Sequence, residues 1–251
     1  MKQLLLFSLL LISFGCSQDA SKQKNNTQES ATISPTSKAE QIADEVIEAM
    51  GGQAAYDATR YLAWNFFGFR HLLWDKQTGD VRISMKNDQT IYILNINDNS
   101  GMVKQDGQVL THPDSLSKYL DRAKSIWVND SYWLVMPYKL KDPGVHLAYI
   151  GEDTMKGGTS ADVLELTFND VGRTPENKYL VYVDKNTRMV GQWDYYKNAT
   201  DNLPRLSTPW GEWKKMGNIM LSEDRGERDL SDVEVLESVP ANAFNTLESI
   251  K

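Results

Sequence analysis

From Tyr61 onward the chain is cut into short β-type segments by turn-forming residues, and that punctuation restricts the folds open to it. Residues 61–72, 80–86, 89–96, 101–105 and 108–111 read as strands, with Asn97-Asp98-Asn99-Ser100-Gly101 and Asp106-Gly107 as turns between the last three. Strands resume at 145–149, 161–169, 178–184, 189–197, 210–215, 219–224 and 233–239. One helix interrupts them over about residues 114–133, where Leu116, Tyr119, Leu120, Ala123, Ile126 and Trp127 recur at i, i+3 and i+4. Strands do not alternate with crossover helices, which argues against a parallel sheet. The pattern predicts an α+β fold: a curved antiparallel sheet, or half-barrel, with a few helices covering its concave face.

A helix opens this region. Ser37 with Glu40 forms a capping-box pattern, Ala39, Ile42, Ala43, Val46, Ile47 and Met50 share one face, and Gly51-Gly52 supplies a C-terminal cap. Before it, residues 17–37 are rich in Ser, Gln, Asn and Thr and hold one large apolar residue, Ile33. Such a segment cannot bury enough surface to offset its ordering entropy, so it reads as a disordered tether.

The first sixteen residues carry a different signal. Met1-Lys2-Gln3 is a short basic start, and residues 4–14 are apolar apart from Ser8 and Ser13. A helix of that length rises about 16 Å, too short for a bilayer core of about 30 Å and suited to a signal-peptide core. Gly15 and then Cys16 follow, and Cys16 is the one cysteine of the chain. This resembles the bacterial lipobox, with Ser13 standing where Leu is commonest. The resemblance implies cleavage before Cys16 and a diacylglycerol on its thiol. The expected layout is a signal peptide over 1–15, a lipidated tether over 16–37 and a globular domain over 38–251. A single cysteine excludes an intrachain disulfide. Ser17 rather than Asp after the cysteine favours the outer over the inner membrane, by resemblance to enterobacterial sorting.

Catalytic signatures are missing. The chain has no Gly-x-Ser-x-Gly, Walker loop, Gly-x-Gly-x-x-Gly or His-Glu-x-x-His, so no catalytic residue and no cofactor is assigned. His71, His112 and His146 stand alone in their segments, and no metal set is assigned to them. Asn95, Asn97 and Asn99 have the spacing of calcium ligands, but Ser100 stands where the loop needs Gly, and a hairpin turn accounts for them better. A net charge of −7 without a basic run argues against nucleic acid as a partner. What the strands do hold is aromatic and sulfur-bearing side chains. The densest groups lie around Trp64 and Phe66, around Met136, and from Tyr179 to Tyr196.

The segment Tyr132-Trp133-Leu134-Val135-Met136-Pro137-Tyr138-Lys139-Leu140, followed by Asp142-Pro143-Gly144-Val145, resembles the LolA/LolB/LppX superfamily. So does Tyr179-Leu180-Val181-Tyr182-Val183-Asp184, with Thr187 in the turn and Trp193 on the next strand. Within that superfamily it looks most like a bacterial lipoprotein family of unassigned function. The resemblance covers about residues 38–245 and implies a carrier or receptor for an acyl chain, lipid or lipoprotein, held on a membrane by its anchor. Side-chain type and strand position nominate Trp64, Phe66, Met136, Tyr182 and Trp193 as ligand contacts. Two alternatives stand beside this: an interaction lipoprotein without a ligand cavity, and an envelope hydrolase using His146 or His71 with an acid.

Anchoring is directly testable. Cys16→Ser should abolish metabolic labelling by a fatty-acid analogue and move the protein off membranes. Equal labelling of both proteins contradicts the assignment.

Overall fold

The computed structural model describes residues 35–86, 88–169 and 171–250, so the expected signal peptide, Cys16 and all but the last three residues of the tether lie outside the described residues. Helix α1 (Pro35–Ala49) begins two residues before Ser37. Proline fits the first helical position, where its fixed φ is favourable and its missing N–H would be unpaired anyway. The predicted face is the one that packs: Ala39, Ile42, Ala43, Val46, Ile47 and Met50 are all buried. Burying each large aliphatic contributes about 1.5–3 kcal/mol. Gly51, at φ 107°, ends the helix; a Cβ there would stand 2.4 Å from the Asn218 carbonyl oxygen. The Gly52 N–H donates back to the Ile47 carbonyl at 2.9 Å. A short α2 (Gln53–Ala58) leads into the sheet.

Two open antiparallel sheets follow. The first has seven strands: β1 (Tyr61–Phe66), β2 (Arg70–Asp75), β3 (Asp80–Met85), β4 (Ile91–Asn95), β5 (Gly101–Gln105), β6 (Gln108–Val109) and β14 (Leu230–Leu236). The second has five: β7 (Val145–Thr154), β8 (Ser160–Phe168), β9 (Lys178–Asp184), β10 (Val190–Tyr196) and β11 (Leu206–Pro209). Their orders are β14-β1-β2-β3-β4-β5-β6 and β11-β10-β9-β8-β7, and β12 (Gly211–Met216) with β13 (Ile219–Asp224) forms a separate hairpin. The sheets curve around α1 and α3 (Pro113–Val135) without closing, which is the predicted α+β half-barrel.

Sequence pattern and structure part at specific places. The expected long strand over 61–72 is a hairpin, broken by Phe67 and Gly68 at φ 51° and 69°. The Phe69 N–H closes this turn on the Phe66 carbonyl at 3.0 Å. Two residues at positive φ match the twist of paired strands, and a Phe in that role carries no turn signal in sequence. The short edge strand β11, which holds Pro209, carries no strand pattern in the sequence. β14 begins at Leu230, three residues earlier than expected, and pairs with β1 across the length of the domain.

The core joins both sheets and both long helices in one cluster. Helix α3 packs against both sheets. Toward the first sheet, Trp127 meets Trp74 edge-on at 5.2 Å, and Trp133 meets Phe67 at 5.2 Å. Toward the second, Trp133 meets Trp193 edge-on at 4.8 Å. Edge contacts of this kind add about 0.5–1.5 kcal/mol beyond area burial. The rotation of α3 is set by Asp130, whose side chain is fully buried and accepts two hydrogen bonds from Arg70 of β2, at 2.6 and 2.7 Å. Burial pushes the Asp130 carboxyl above its usual range, and Arg70 opposes that shift. Such a pair is costly to break because the fully buried carboxylate is then left with only the Asn129 side-chain amide, which donates to it at 3.0 Å.

Arg70→Met should therefore cost about 3–5 kcal/mol at neutral pH. A carboxyl with a raised folded pKa loses stability as pH rises through that pKa, so the deficit should shrink toward acid, where Asp130 takes up a proton. Denaturant unfolding at two pH values checks this. A loss below about 1 kcal/mol, within the range of an exposed pair, contradicts the role given to this interaction.

Candidate ligand cavity between helix α3 and the second sheet

Residues of one parity on the second sheet share a face. Val145 pairs with Phe168, Leu166 with Tyr179, Tyr179 with Tyr195, and Tyr195 with Leu206. These side chains form a row across one end of the sheet, and the C-terminal half of α3 lies over them. Between helix and sheet is a cavity of about 810 Å³. That volume lies within the range of about 300–1,000 Å³ usual for small-molecule sites. Trp127, Tyr132 and Trp133 contribute from α3, and Phe168, Tyr179, Trp193 and Tyr195 from the strands.

Stacking fixes these rings. Tyr179 lies nearly parallel to Trp193, with centroids 5.0 Å apart, and Tyr132 contacts Trp193 at 5.9 Å and Tyr179 at 5.6 Å. The rim is polar. It carries Lys139, Asp142, Arg173, Thr174, Asn177 and Arg205. Lys139 pairs with Asp142 three residues before β7 begins, and Arg173 pairs with Asp121 of α3 at 2.6 Å. The Tyr195 hydroxyl donates to Asn177 Oδ1 at 3.4 Å.

The lining carries unspent polar groups. The Tyr132 hydroxyl and the indole N–H groups of Trp127 and Trp193 have no hydrogen-bond partner and are closed to solvent. Burial drives the Tyr132 hydroxyl well above its ordinary pKa and holds that of Tyr179 at about 12, so both stay protonated at neutral pH. Of the lining residues, Asp142 is the one carboxylate, and it is paired with Lys139. The histidines lie elsewhere: His71 on β2, His112 at the start of α3 and His146 exposed on β7. Among the described residues no group of His, Cys, Asp and Glu is arranged to hold a metal ion. The arrangement is suited to holding an apolar molecule with a polar end.

Of the five nominated contacts, Trp193 lines this cavity. Trp64, Phe66 and Met136 are buried in the main core and do not line it. Tyr182 is displaced by parity. Its neighbour Val181 pairs with Trp193, so Tyr182 points to the opposite face, where its hydroxyl donates to Asp194 at 3.2 Å. It packs there with Met155, Ala161 and Val163. The lining residues missing from the nominated set, chiefly Tyr132, Tyr179 and Tyr195, were legible as an aromatic concentration. Choosing among them required strand register, which pairs Tyr179 with Tyr195 and leaves Tyr182 behind.

No protein-family profile matches the chain, and no curated protein matches it. Solved structures similar to it include the following three. A DUF1329 family protein from Desulfovibrio piger has 13% identity and a TM-score of 0.46, over 84% of this chain and 97% of its own. A putative outer membrane lipoprotein-sorting protein domain from Vibrio parahaemolyticus has 12% identity and a TM-score of 0.40, over 84% and 97%. A LolA superfamily protein from Nitrosomonas europaea has 13% identity and a TM-score of 0.36, over 83% and 97%. Likeness of this degree concerns the course of the chain, and the site is argued from its own residues.

An unpartnered buried hydroxyl costs about 1–3 kcal/mol. Tyr132→Phe, which removes that hydroxyl and keeps the ring, should leave stability unchanged or raise it by about 1 kcal/mol. A loss beyond about 1 kcal/mol in chemical denaturation would show that the hydroxyl has a partner after all.

Proposed function

We propose that this chain is a lipoprotein of the bacterial cell envelope, tethered through lipid on Cys16, that binds an acyl chain in the cavity under α3. The observation that carries the reading is the cavity itself: about 810 Å³ with seven aromatic side chains in its lining and polar groups at its rim. A methylene taken from water into such a lining gains about 0.8 kcal/mol, so a chain of about fourteen gains about 11 kcal/mol. Lost translational and rotational freedom removes about 4–15 kcal/mol of that. Binding is therefore reversible, as a carrier or receptor requires. The aromatic walls favour this use, because flat rings hold their shape with few rotatable bonds and a flexible chain can run along them. The lipobox-like start and polar tether would place the cavity near a membrane, the natural source of acyl chains.

Filling the cavity provides the test. Val128 of α3 lines it and is partly buried. Val128→Trp should reduce uptake of a fluorescent fatty acid at least tenfold while leaving the melting temperature within a few degrees of wild type. Absence of saturable uptake by the wild type, or equal uptake by the filled variant, contradicts the proposal.

A further inference from the structure

We infer that the amphiphile held in this cavity carries an anionic headgroup and that Arg205 receives it at the mouth. The inference rests on the acyl-binding reading and specifies its ligand class. Three cations line the cavity, Lys139, Arg173 and Arg205, against the single carboxylate of Asp142. This is a local excess of positive charge in a chain whose net charge is −7. Two of the three cations are already engaged, Lys139 with Asp142 and Arg173 with Asp121. The Arg205 side chain forms no ion pair and no hydrogen bond among the described residues. Its guanidinium therefore keeps five N–H donors for a ligand.

Its backbone is fixed. The Arg205 N–H donates to the Tyr195 carbonyl at 2.8 Å, and the next residue, Leu206, is in register with Tyr195 in the sheet. The Arg205 backbone is thus fixed at the edge of the aromatic wall, with its side chain exposed. The surroundings are amphiphilic. Leu203 is 81% exposed and Leu206 is 42% exposed, on either side of Arg205. Apolar side chains flanking a free cation at the opening of an aromatic cavity match the junction of an acyl tail with an anionic head.

A planar guanidinium binds a carboxylate or a phosphate through two parallel hydrogen bonds, so free fatty acids and phospholipid-type heads share the required chemistry. The Arg205 side chain is exposed, so its guanidinium is open to a headgroup arriving from solvent. A neutral headgroup leaves the Arg205 charge without a counterion.

The experiment uses the full-length, unlipidated Cys16→Ser protein and compares three sixteen-carbon amphiphiles below their micellar concentrations. They are palmitate, a neutral monopalmitoylglycerol and a palmitoyl lysophosphatidylglycerol. At least one anionic amphiphile should bind tenfold or more tighter than the neutral one. Arg205→Gln should bring that ratio close to one by weakening the anionic amphiphile, and Arg205→Lys should restore part of it. Raising the salt concentration should narrow the ratio in the parent protein and leave the Gln variant unmoved. Which anionic arm gains more identifies the head as carboxylate or phosphate. Equal binding of neutral and anionic amphiphiles, or a ratio indifferent to Arg205→Gln, overturns the inference and leaves the acyl-binding reading in place. If none of the three binds, the acyl-binding reading falls and this inference with it.

Discussion

The buried pair of Asp130 and Arg70 is the constraint on which the rest of the structure depends. Asp130 lies on α3 with no solvent exposure, and two short hydrogen bonds tie it to β2 of the first sheet. A charge in that position is tolerable only with its partner in place, so the helix has one permitted rotation. That rotation aims Trp127 at Trp74 of the first sheet and Tyr132 at Tyr179 and Trp193 of the second. A second buried cation acts at the end of the same helix. Arg225 donates to the Trp133 carbonyl at 2.7 Å and lies over the Trp210 ring at 3.6 Å. Burial works against its charge, and the nearby carboxylates of Asp224 and Asp229 oppose that shift.

With α3 held against the first sheet, the gap falls against the second. The helix contacts that sheet through large rings, and rings standing edge-on or tilted leave space between them where aliphatic side chains would interdigitate. The cavity is thus a consequence of the composition at the contact. Unpaired hydroxyl and indole groups behind the lining fit the same picture: this part of the molecule is not optimised for its own stability.

Element types were largely readable from the chain because they follow local rules. The α1 face is buried as its spacing indicates, Gly51-Gly52 ends that helix, and short turn-bounded segments became antiparallel strands. What escaped was set by contacts distant in sequence. The turn at Phe67-Gly68 uses a Phe at positive φ, supported by its packing on Trp133 rather than by any turn propensity. The pairing of β1 with β14 joins segments far apart along the chain. The aromatic concentration beside the cavity is legible in the sequence, and Trp193 lines that cavity. Ring density without register does not separate Tyr182 from Trp193, because a shift of one residue reverses the face of a strand. Trp64 and Phe66 on β1, and Met136 in the 3-10 turn after α3, illustrate the related point that an aromatic or sulfur-bearing residue belongs to the core unless helix packing leaves a gap beside it.

The central claim is that an acyl chain lies between α3 and the second sheet, and tryptophan position makes this measurable. Of the seven tryptophans, Trp127, Trp133 and Trp193 line the cavity. A fatty acid brominated along its chain quenches indole fluorescence at close contact. The account predicts saturable quenching that diminishes in Trp127→Phe and Trp133→Phe and is undiminished in Trp213→Phe, whose indole bonds to the Val190 carbonyl away from the cavity. Quenching that is absent, or that is equally diminished in all three variants, would contradict it.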